Sequence, residues 1–416
     1  MSSQPSKQPP KTLRTVCCGC NLLCDDVTVE VDAANAVAGA RFCEKGKQWL
    51  SCADKPSHLA AVDGKPSEST RAVDTARTLL LQSRRPLIVG LDQLSLSAQS
   101  QAIALANRLR AAVDVSFSPL SSFEFALQKV GRVTATLGEV RDRSDVVIFW
   151  AADPMRSHPR LLERIDAANK TVVFVGGASE PQLPAASSEF RLPGKGVRAD
   201  LLELLRTEFA GSRVNLDMKT VDEETRTFLE IVGNAKHLAV FADPAQFTGY
   251  YSAFGLHQFV RARNDRARAV LLPLRTDGQA LMAENNLVAN LGFARAVDLS
   301  LGFPRYNWDE FAAHRLVENG NVDCVLWFCG EAVESVNQRI KSAPATNWIV
   351  VHANPATTHV DAQVQVFMKR LGLEESGDAL RLDDVMIPVD QIRESSSFSA
   401  GEFLKLLTSV ARLSEA

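Results

Sequence analysis

The sequence of 416 residues contains no run of about 18 uninterrupted apolar residues, the length needed to cross a lipid bilayer. Residues 1–11 are polar and proline-rich without an apolar core, so we expect a disordered tail and not a signal peptide. A formal net charge of −3 gives no electrostatic reason to bind nucleic acid or an acidic membrane. We therefore expect a cytoplasmic protein, in whose reducing surroundings disulfides are disfavoured.

Common catalytic motifs are missing as well. The sequence has no G-x-x-x-x-G-K-[ST] phosphate loop, no H-E-x-x-H zinc motif and no G-x-S-x-G nucleophile turn. The seven histidines are scattered singly. No cysteine lies between Cys52 and Cys324, and no histidine lies between His58 and His158. This long central stretch therefore offers neither of the two residue types that most often hold a transition metal.

Five of the eight cysteines cluster near the N-terminus. Cys17, Cys20, Cys24 and Cys43 have the spacing C-x2-C-x3-C-x18-C. Three thiols on a short loop and a fourth farther along suit a [4Fe–4S] cluster or a tetrahedral metal such as zinc. Zinc ribbons usually have two C-x2-C pairs, so an iron–sulfur site is favoured, with Cys18 as a substitute ligand. The alternative is a set of reduced, buried cysteines.

From about residue 70, short apolar runs alternate with stretches of helical periodicity. Such runs are typical of parallel sheets covered by helices on both faces, which predicts an α/β fold. The predicted strands are residues 86–91, 113–117, 145–151, 171–177, 237–242, 267–274, 322–328 and 347–352. The predicted helices include residues 70–83, 98–112 and 401–413, and an alternating strand is expected at residues 26–32.

The length of the chain predicts more than one domain. We expect a disordered tail (1–11), a small cysteine-rich domain of the iron–sulfur type (12–58) and an α/β domain (59–185). A second α/β domain (186–320) and a C-terminal α/β segment that packs back on the sheet domains (321–416) complete the chain. The boundary near residue 185 is placed in a stretch rich in proline, glycine and serine.

The cysteine motif continues as Gly19-Cys20-Asn21-Leu22-Leu23-Cys24-Asp25-Asp26. Together with residues 127–160, 290–307 and 379–388, in the same order, it resembles the B subunit of formylmethanofuran dehydrogenases. The resemblance covers nearly the whole chain after the tail. It implies a multidomain α/β fold like that of molybdopterin oxidoreductases, with parallel sheets flanked by helices and a small N-terminal iron–sulfur-type domain. It also implies a [4Fe–4S] cluster at Cys17, Cys20, Cys24 and Cys43.

In that family the B subunit carries two pterin guanine dinucleotides, whose tungsten or molybdenum is held by cysteine or selenocysteine followed by histidine. The matching segment here, residues 115–123, reads VSFSPLSSF and contains neither residue type. Since the soft ligand is missing, we expect the tungsto- or molybdopterin to be absent and the chain not to be catalytic by itself.

Asp153, His158 and Arg160 follow a predicted strand, at the place where α/β sheets bind nucleotides. In dehydrogenases of the family this segment lies against a pterin dinucleotide. The resemblance therefore implies a vestigial cofactor-binding segment at these three residues. The alternative is that Asp153 caps the following helix and that Arg160 forms a surface ion pair.

The resemblance is greatest to the B subunit of bacterial formyltransferase/hydrolase complexes. There a formyl group passes from a tetrahydromethanopterin carrier to a methanofuran-like carrier and is hydrolysed to formate, with the chemistry in the A and D subunits and with B and C as scaffold. One alternative is an active tungsten or molybdenum dehydrogenase that forms CO2, with Ser118, Ser121 or Ser122 as the metal ligand or with no protein ligand at all. Another is a stand-alone iron–sulfur or nucleotide-binding protein without partners.

Overall fold

The computed structural model describes residues 11–31, 37–51, 59–119, 121–177, 188–192, 194, 196–209, 221–247, 252–352 and 360–409. Its strands, in chain order, are β1 (Lys11–Thr15), β2 (Val27–Val31), β3 (Val37–Ala40), β4 (Ala60–Val62), β5 (Lys65–Pro66), β6 (Pro86–Val89), β7 (Ala112–Asp114), β8 (Val146–Trp150), β9 (Thr171–Val175), β10 (Ser188–Leu192), β11 (His237–Ala242), β12 (Arg268–Pro273), β13 (Val297–Asp298), β14 (Arg305–Tyr306), β15 (Cys324–Cys329), β16 (Asn347–His352), β17 (Val364–Phe367), β18 (Gly377–Leu380) and β19 (Met386–Val389).

The helices are α1 (Glu44–Ser51), α2 (Ser69–Gln82), α3 (Leu96–Leu109), α4 (Ser122–Val130), α5 (Leu137–Arg143), α6 (Pro154–Ser157), α7 (Leu161–Arg164), α8 (Ala199–Phe209), α9 (Glu223–Asn234), α10 (Phe254–Arg263), α11 (Ala280–Leu291), α12 (Ala313–Glu318), α13 (Val333–Ser342) and α14 (Ala400–Thr408). Within the described part of the chain, none of them is both long enough and apolar enough to span a membrane.

Two sheets form the body of the molecule. The larger has nine strands in the order β14-β13-β7-β6-β15-β16-β17-β4-β5, and its centre, from β7 to β17, is parallel. The smaller has the order β10-β9-β8-β11-β12 and is parallel throughout. Every residue of β6, β8, β11 and β15 is buried, because helices cover both faces of each sheet. The predicted α/β architecture is confirmed.

The chain enters the nine-stranded sheet with β4–β7, leaves it to build the five-stranded sheet with β8–β12, and returns with β13–β17. The five-stranded sheet therefore contains strands from both predicted α/β domains, 59–185 and 186–320. Likewise, the nine-stranded sheet contains strands from both of these segments and from residues 321–416. The domain limits themselves stay a prediction.

A third, antiparallel sheet (β1-β2-β3) lies at the N-terminus, and β2 corresponds to the strand expected at residues 26–32. Its small core joins Val29 and Leu50 to Leu373 and Ile392 from the C-terminal segment. The N-terminal unit therefore does not bury its core alone, but shares it with residues that come after the nine-stranded sheet.

One predicted boundary needs correction. The helix expected at residues 98–112 ends at Leu109, because Arg110 adopts the left-handed conformation with φ 51° and terminates it. The following strand begins at Ala112 and ends at Asp114, whereas the apolar run predicted residues 113–117. Because β7 ends early, residues 115–119 lie outside the strand, in the segment at which the family's metal ligand is expected.

Candidate functional site

Residues 16–26, which we call the thiol loop, connect β1 to β2. The Cys17 N–H donates to the Cys24 carbonyl at 2.9 Å, and the Leu23 N–H donates to the Cys20 carbonyl at 3.3 Å. Leu23 has a φ of 44°, the left-handed conformation that lets the chain turn back so tightly. Three of the predicted ligands are therefore presented by one closed, hydrogen-bonded loop.

Two glycines allow the fourth cysteine to approach. Cys43 precedes α1, whose first turn packs on the thiol loop. A Cβ atom on Gly46 would lie 3.0 Å from Cys17 Sγ, and a Cβ atom on Gly19 would lie 2.7 Å from the Lys45 carbonyl oxygen. Sequence reasoning missed both glycines; their position inside and beside the cysteine motif was the available signal.

Electrostatics place the four predicted ligands in one neighbourhood. Burial raises the pKa of Cys17 to about 12, and the nearby thiols of Cys20, Cys24 and Cys43 add to the rise. Burial also raises the pKa of Cys20 to about 12, with Cys24 and Cys43 again contributing. The Cys17 and Cys20 thiols are therefore protonated at neutral pH unless a bound cation stabilises their thiolates.

Cys18 lies near Cys17 and Cys20, which add to the rise in its pKa caused by burial, but it also contacts a different part of the chain. It packs with Leu23 of the thiol loop and with Ala379 and Val389 of the C-terminal hairpin β18–β19, all of them buried. This packing favours Cys17, Cys20, Cys24 and Cys43 as the ligand set over a set in which Cys18 substitutes for one of them. Among the residues that the structure describes, no three His, Cys, Asp or Glu side chains are grouped so that they could hold a metal ion.

Two acidic residues of the thiol loop bind the segment predicted to hold a cofactor. Arg160 donates to both carboxylate oxygens of Asp26, at 2.8 and 2.7 Å, and also to Glu163. Arg164 bridges Asp25 and Asp26 at 2.8 Å each. Hydrogen bonding from Arg160 lowers the pKa of Asp26 to about 2. The Arg160 side chain is thus engaged by the protein, in an ion pair that is mostly buried and not on the surface.

Asp153 and His158 occupy different settings. Asp153 caps α6, where its Oδ1 accepts from the Arg156 N–H at 3.1 Å, as the capping alternative predicted. His158 is wholly buried. Burial lowers its pKa to about 4, the ammonium of Lys45 lowers it further, and the nearby Arg275 backbone opposes the shift. Lys45 also lowers the pKa of Cys20, so its ammonium lies near both Cys20 and His158.

The serines considered as metal ligands are partly engaged. Ser121 is the N-cap of α4, accepting from the Phe123 N–H at 3.3 Å and donating to Glu124. The Ser122 hydroxyl is buried and accepts from the Ala253 N–H. Ser118 is exposed. Only Ser118 therefore presents its side chain to solvent.

A buried ionic network, absent from the sequence-based prediction, lies beside these serines. Arg275 contacts Glu284 at 2.8 Å, Glu124 at 3.0 Å and Asp277 at 2.6 Å, and the Arg275, Glu124 and Glu284 side chains are 6%, 3% and 0% exposed. Arg275 follows β12 of the five-stranded sheet, and Glu284 lies in α11, which packs with the nine-stranded sheet. The available signal was a charged residue inside the apolar run ALMAENN.

A second arginine holds the serine segment directly. Arg295 donates to Asp114 at 2.9 Å and to the carbonyls of Ser116 and Ser118 at 2.8 and 2.9 Å. Its side chain is 3% exposed. The place where a soft metal ligand is expected is therefore fixed by charge-assisted hydrogen bonds from within the chain.

No protein-family model matches the sequence. The B subunit of tungsten-containing formylmethanofuran dehydrogenase 2 from Methanococcus maripaludis is 25% identical over 429 residues, covering 94% of this chain and 96% of that protein. The protein of the same name from Methanocaldococcus jannaschii is 26% identical, covering 92% and 94%. The chain is homologous to the B subunits of formylmethanofuran dehydrogenases.

Solved structures agree on the fold. A chain of the formyltransferase/hydrolase complex from Methylorubrum extorquens, crystallised with methylofuran, matches with a TM-score of 0.70 and 20% identity, covering 84% of this chain and 98% of that one. Acetylene hydratase from Pelobacter acetylenicus matches with a TM-score of 0.58 and 11% identity, covering 97% and 69%. The molybdopterin-oxidoreductase-like fold expected for the present chain is confirmed. The iron–sulfur cluster and the pterin segment stay predictions.

Proposed function

We propose that this chain is the B subunit of a formyltransferase/hydrolase complex in tetrahydromethanopterin- and methanofuran-linked one-carbon metabolism. It acts in the cytoplasm as a structural subunit without redox catalysis, together with A, C and D subunits. Homology to a dehydrogenase B subunit over 94% of the chain and the fold shared with a chain of the Methylorubrum extorquens complex support the assignment.

One observation carries the non-redox part of the proposal. Residues 115–123 contain neither cysteine nor histidine, and Arg295 binds the carbonyls of Ser116 and Ser118 within this segment. Asp153 and Arg160 are likewise engaged by a helix N-terminus and by Asp26. These residues do not fit a tungsten or molybdenum ion held by pterin dinucleotides, because the soft ligand is missing and the two carbonyls, Asp153 and Arg160 already have partners within the chain.

The thiols, in contrast, support an iron–sulfur cluster by their spacing and their proximity, while the side chains that the structure describes are not arranged as a preformed metal site. Cys17, Cys20, Cys24 and Cys43 share one buried neighbourhood, and the Gly19 N–H donates to Cys17 Sγ at 3.4 Å. Backbone donors to sulfur are a usual means of stabilising such clusters. A [4Fe–4S] cluster supplies one-electron transfer when bound; here the same four residues would serve to staple the thiol loop to α1.

The second candidate is an active dehydrogenase subunit with Ser118 as the metal ligand. The names of the two homologues, both tungsten-containing, and the exposed side chain of Ser118 favour it. It predicts oxidation of formylmethanofuran coupled to reduction of a viologen dye.

Metal analysis of the native complex, combined with its subunit composition, separates these candidates. We expect iron at about four atoms per copy of this chain, as one cubane requires, and neither tungsten nor molybdenum. Stoichiometric tungsten or molybdenum with a pterin would overturn the proposal in favour of the dehydrogenase. A chain that sediments as a monomer without co-purifying subunits would instead identify a stand-alone protein.

A further inference from the structure

The amino-terminal edge of the nine-stranded sheet carries a cavity of about 270 Å³. Strands β6 and β7 begin beside it, at Pro86 and Ala112. The ionic network and the serine segment follow the opposite, carboxyl ends of the strands. The cavity is therefore a separate feature, and neither the thiols nor the vestigial cofactor segment reaches it.

This edge has unpaired positive charge. The guanidinium groups of Arg85 and Arg110 line the cavity, both residues are exposed, and neither guanidinium pairs with any residue that the structure describes. Beside them, Asp298 binds Arg305 and the Ser300 hydroxyl, and Glu310 accepts from the Asn307 amide at 3.2 Å. The lining of the cavity contains three arginines and two acidic residues, so it carries one more positive than negative charge. The edge thus has an excess of positive charge, which favours a negatively charged partner.

Apolar side chains border the same edge on the loop of residues 299–311. Leu301 is 59% exposed, Phe303 is 56% exposed and Trp308 is 43% exposed. Three of the large apolar side chains that the described surface exposes therefore lie within eight residues. Grouped exposed apolar residues beside arginines are the composition of protein interaction sites, whose strongest contributors are Trp, Tyr and Arg.

The loop that carries these side chains is held in place. Phe293 stacks on Tyr306 with ring centroids 5.2 Å apart and an interplanar angle of 10°. Arg305 lies 5.0 Å above the Phe311 ring. A preformed loop loses little conformational entropy on binding, which favours its use as a contact surface.

We propose that this surface, formed by Arg85, Arg110, Leu301, Phe303 and Trp308, docks a partner subunit. The partner presents an acidic segment with apolar side chains beside it. Its carboxylates bind the two arginines at the cavity, and its apolar side chains cover the loop. This inference rests on the proposed function, because it names the chemistry of a contact that this chain makes within its complex.

Assembly of the tagged, full-length chain with its subunits provides the first test. The variants are Phe303→Ser and the double charge reversal Arg85→Glu/Arg110→Glu. Their matched controls are Leu81→Ser, at a side chain 43% exposed, and Arg71→Glu/Arg143→Glu, at exposed arginines on α2 and α5. We expect each surface variant to weaken assembly at least about tenfold, the effect of losing one strong contact residue, and the controls to assemble as the wild type does.

A photo-crosslinking amino acid at position 301 identifies the occupant. We expect a cross-linked peptide rich in Asp and Glu from another subunit. A peptide of this same chain would identify a second copy and overturn the proposal, as would surface variants that assemble normally. Failure of the wild-type chain to co-purify with any subunit would refute the proposed function itself, whereas an assembled complex without the cross-link would refute this surface alone.

Discussion

Arg160 donates two parallel hydrogen bonds to Asp26, at 2.8 and 2.7 Å, and so joins the thiol loop to the segment that follows β8. The two side chains are only 10% and 23% exposed. The resemblance implies that Arg160 contacts a cofactor, but in this structure Arg160 holds the thiol loop against the segment that follows β8. The position of the N-terminal cysteine unit does not depend on a bound cofactor, because ion pairs within the chain anchor it.

Replacing Arg160 by Lys keeps the charge but removes the two-pronged contact. We expect the free energy of unfolding to fall by about 1–3 kcal/mol, the range for hydrogen bonds to charged groups. Urea titration measures the change. The matched control is Arg141→Lys: the Arg141–Asp142 pair is 56% and 63% exposed, so this substitution should leave the free energy of unfolding nearly unchanged. Equal effects of the two substitutions would contradict a structural role for Arg160.

His158 predicts a loss of stability in mild acid. Burial lowers its pKa from 6.5 to about 4, so the unfolded chain binds the proton more tightly than the folded one. The resulting stability is fully present above about pH 6.5 and is lost as the pH falls toward 4; it amounts to roughly 3 kcal/mol. His158→Gln should flatten the unfolding free energy across this window. His314→Gln, at a partly exposed histidine, should flatten it much less; an unchanged profile for His158→Gln would disprove the assignment.

Iron binding distinguishes the thiols from one another. We expect Cys17→Ser to reduce bound iron well below the roughly four atoms of one cubane. Cys18→Ser should leave the iron content unchanged, because Cys18 packs against the C-terminal hairpin. Iron determination and the visible absorption of the anaerobically purified chain provide the measurement. Equal losses from both variants would mean that Cys18 is a ligand.

Gly46 sets how closely α1 approaches the thiol loop. A Cβ atom there would lie 2.7 Å from a ring carbon of Phe42 and 3.0 Å from Cys17 Sγ. We expect Gly46→Ala to lower the free energy of unfolding by about 1–3 kcal/mol, as overpacking does. Gly233→Ala in α9 is the control: its Cβ atom would meet nothing within 4 Å, so it should stabilise the helix by about 0.5–1 kcal/mol. A stable Gly46→Ala chain would show that α1 can move away from the loop.

The features that could be predicted from the sequence are those that depend on residues close to one another along the chain. Cys17, Cys20 and Cys24 lie on one loop, so their spacing was sufficient to group them. The contact between Arg160 and Asp26 spans 134 residues and was not predictable, because no local pattern links the two segments. The ionic network was missed for the same reason, since Glu124 and Arg275 come from distant elements that only the packed sheets bring together.

Glu284 tests how tightly the ionic network beside the serine segment is buried. Burial raises the pKa of Glu284 to about 8, opposed by Arg275. The folded chain therefore holds this proton more tightly than the unfolded chain, and stability falls as the pH rises from about 4.5 toward 8. Glu284→Gln imitates the protonated carboxyl, so its unfolding free energy should vary less across this window. A profile as steep as that of the wild type would contradict the burial of Glu284.

Arg275→Met removes the cation that Glu124, Asp277 and Glu284 share. We expect the free energy of unfolding to fall by about 3–5 kcal/mol, because breaking a buried ion pair leaves charge without compensation. Combining Arg275→Met with Glu124→Gln, at the carboxyl that contacts Arg275 at 3.0 Å, should recover part of this loss, with a coupling of about 0.5–3 kcal/mol in the double-mutant cycle. A near-neutral Arg275→Met variant would mean that water reaches the network. The region would then be open enough to accept a cofactor, and the proposal of a non-redox subunit would lose its structural support.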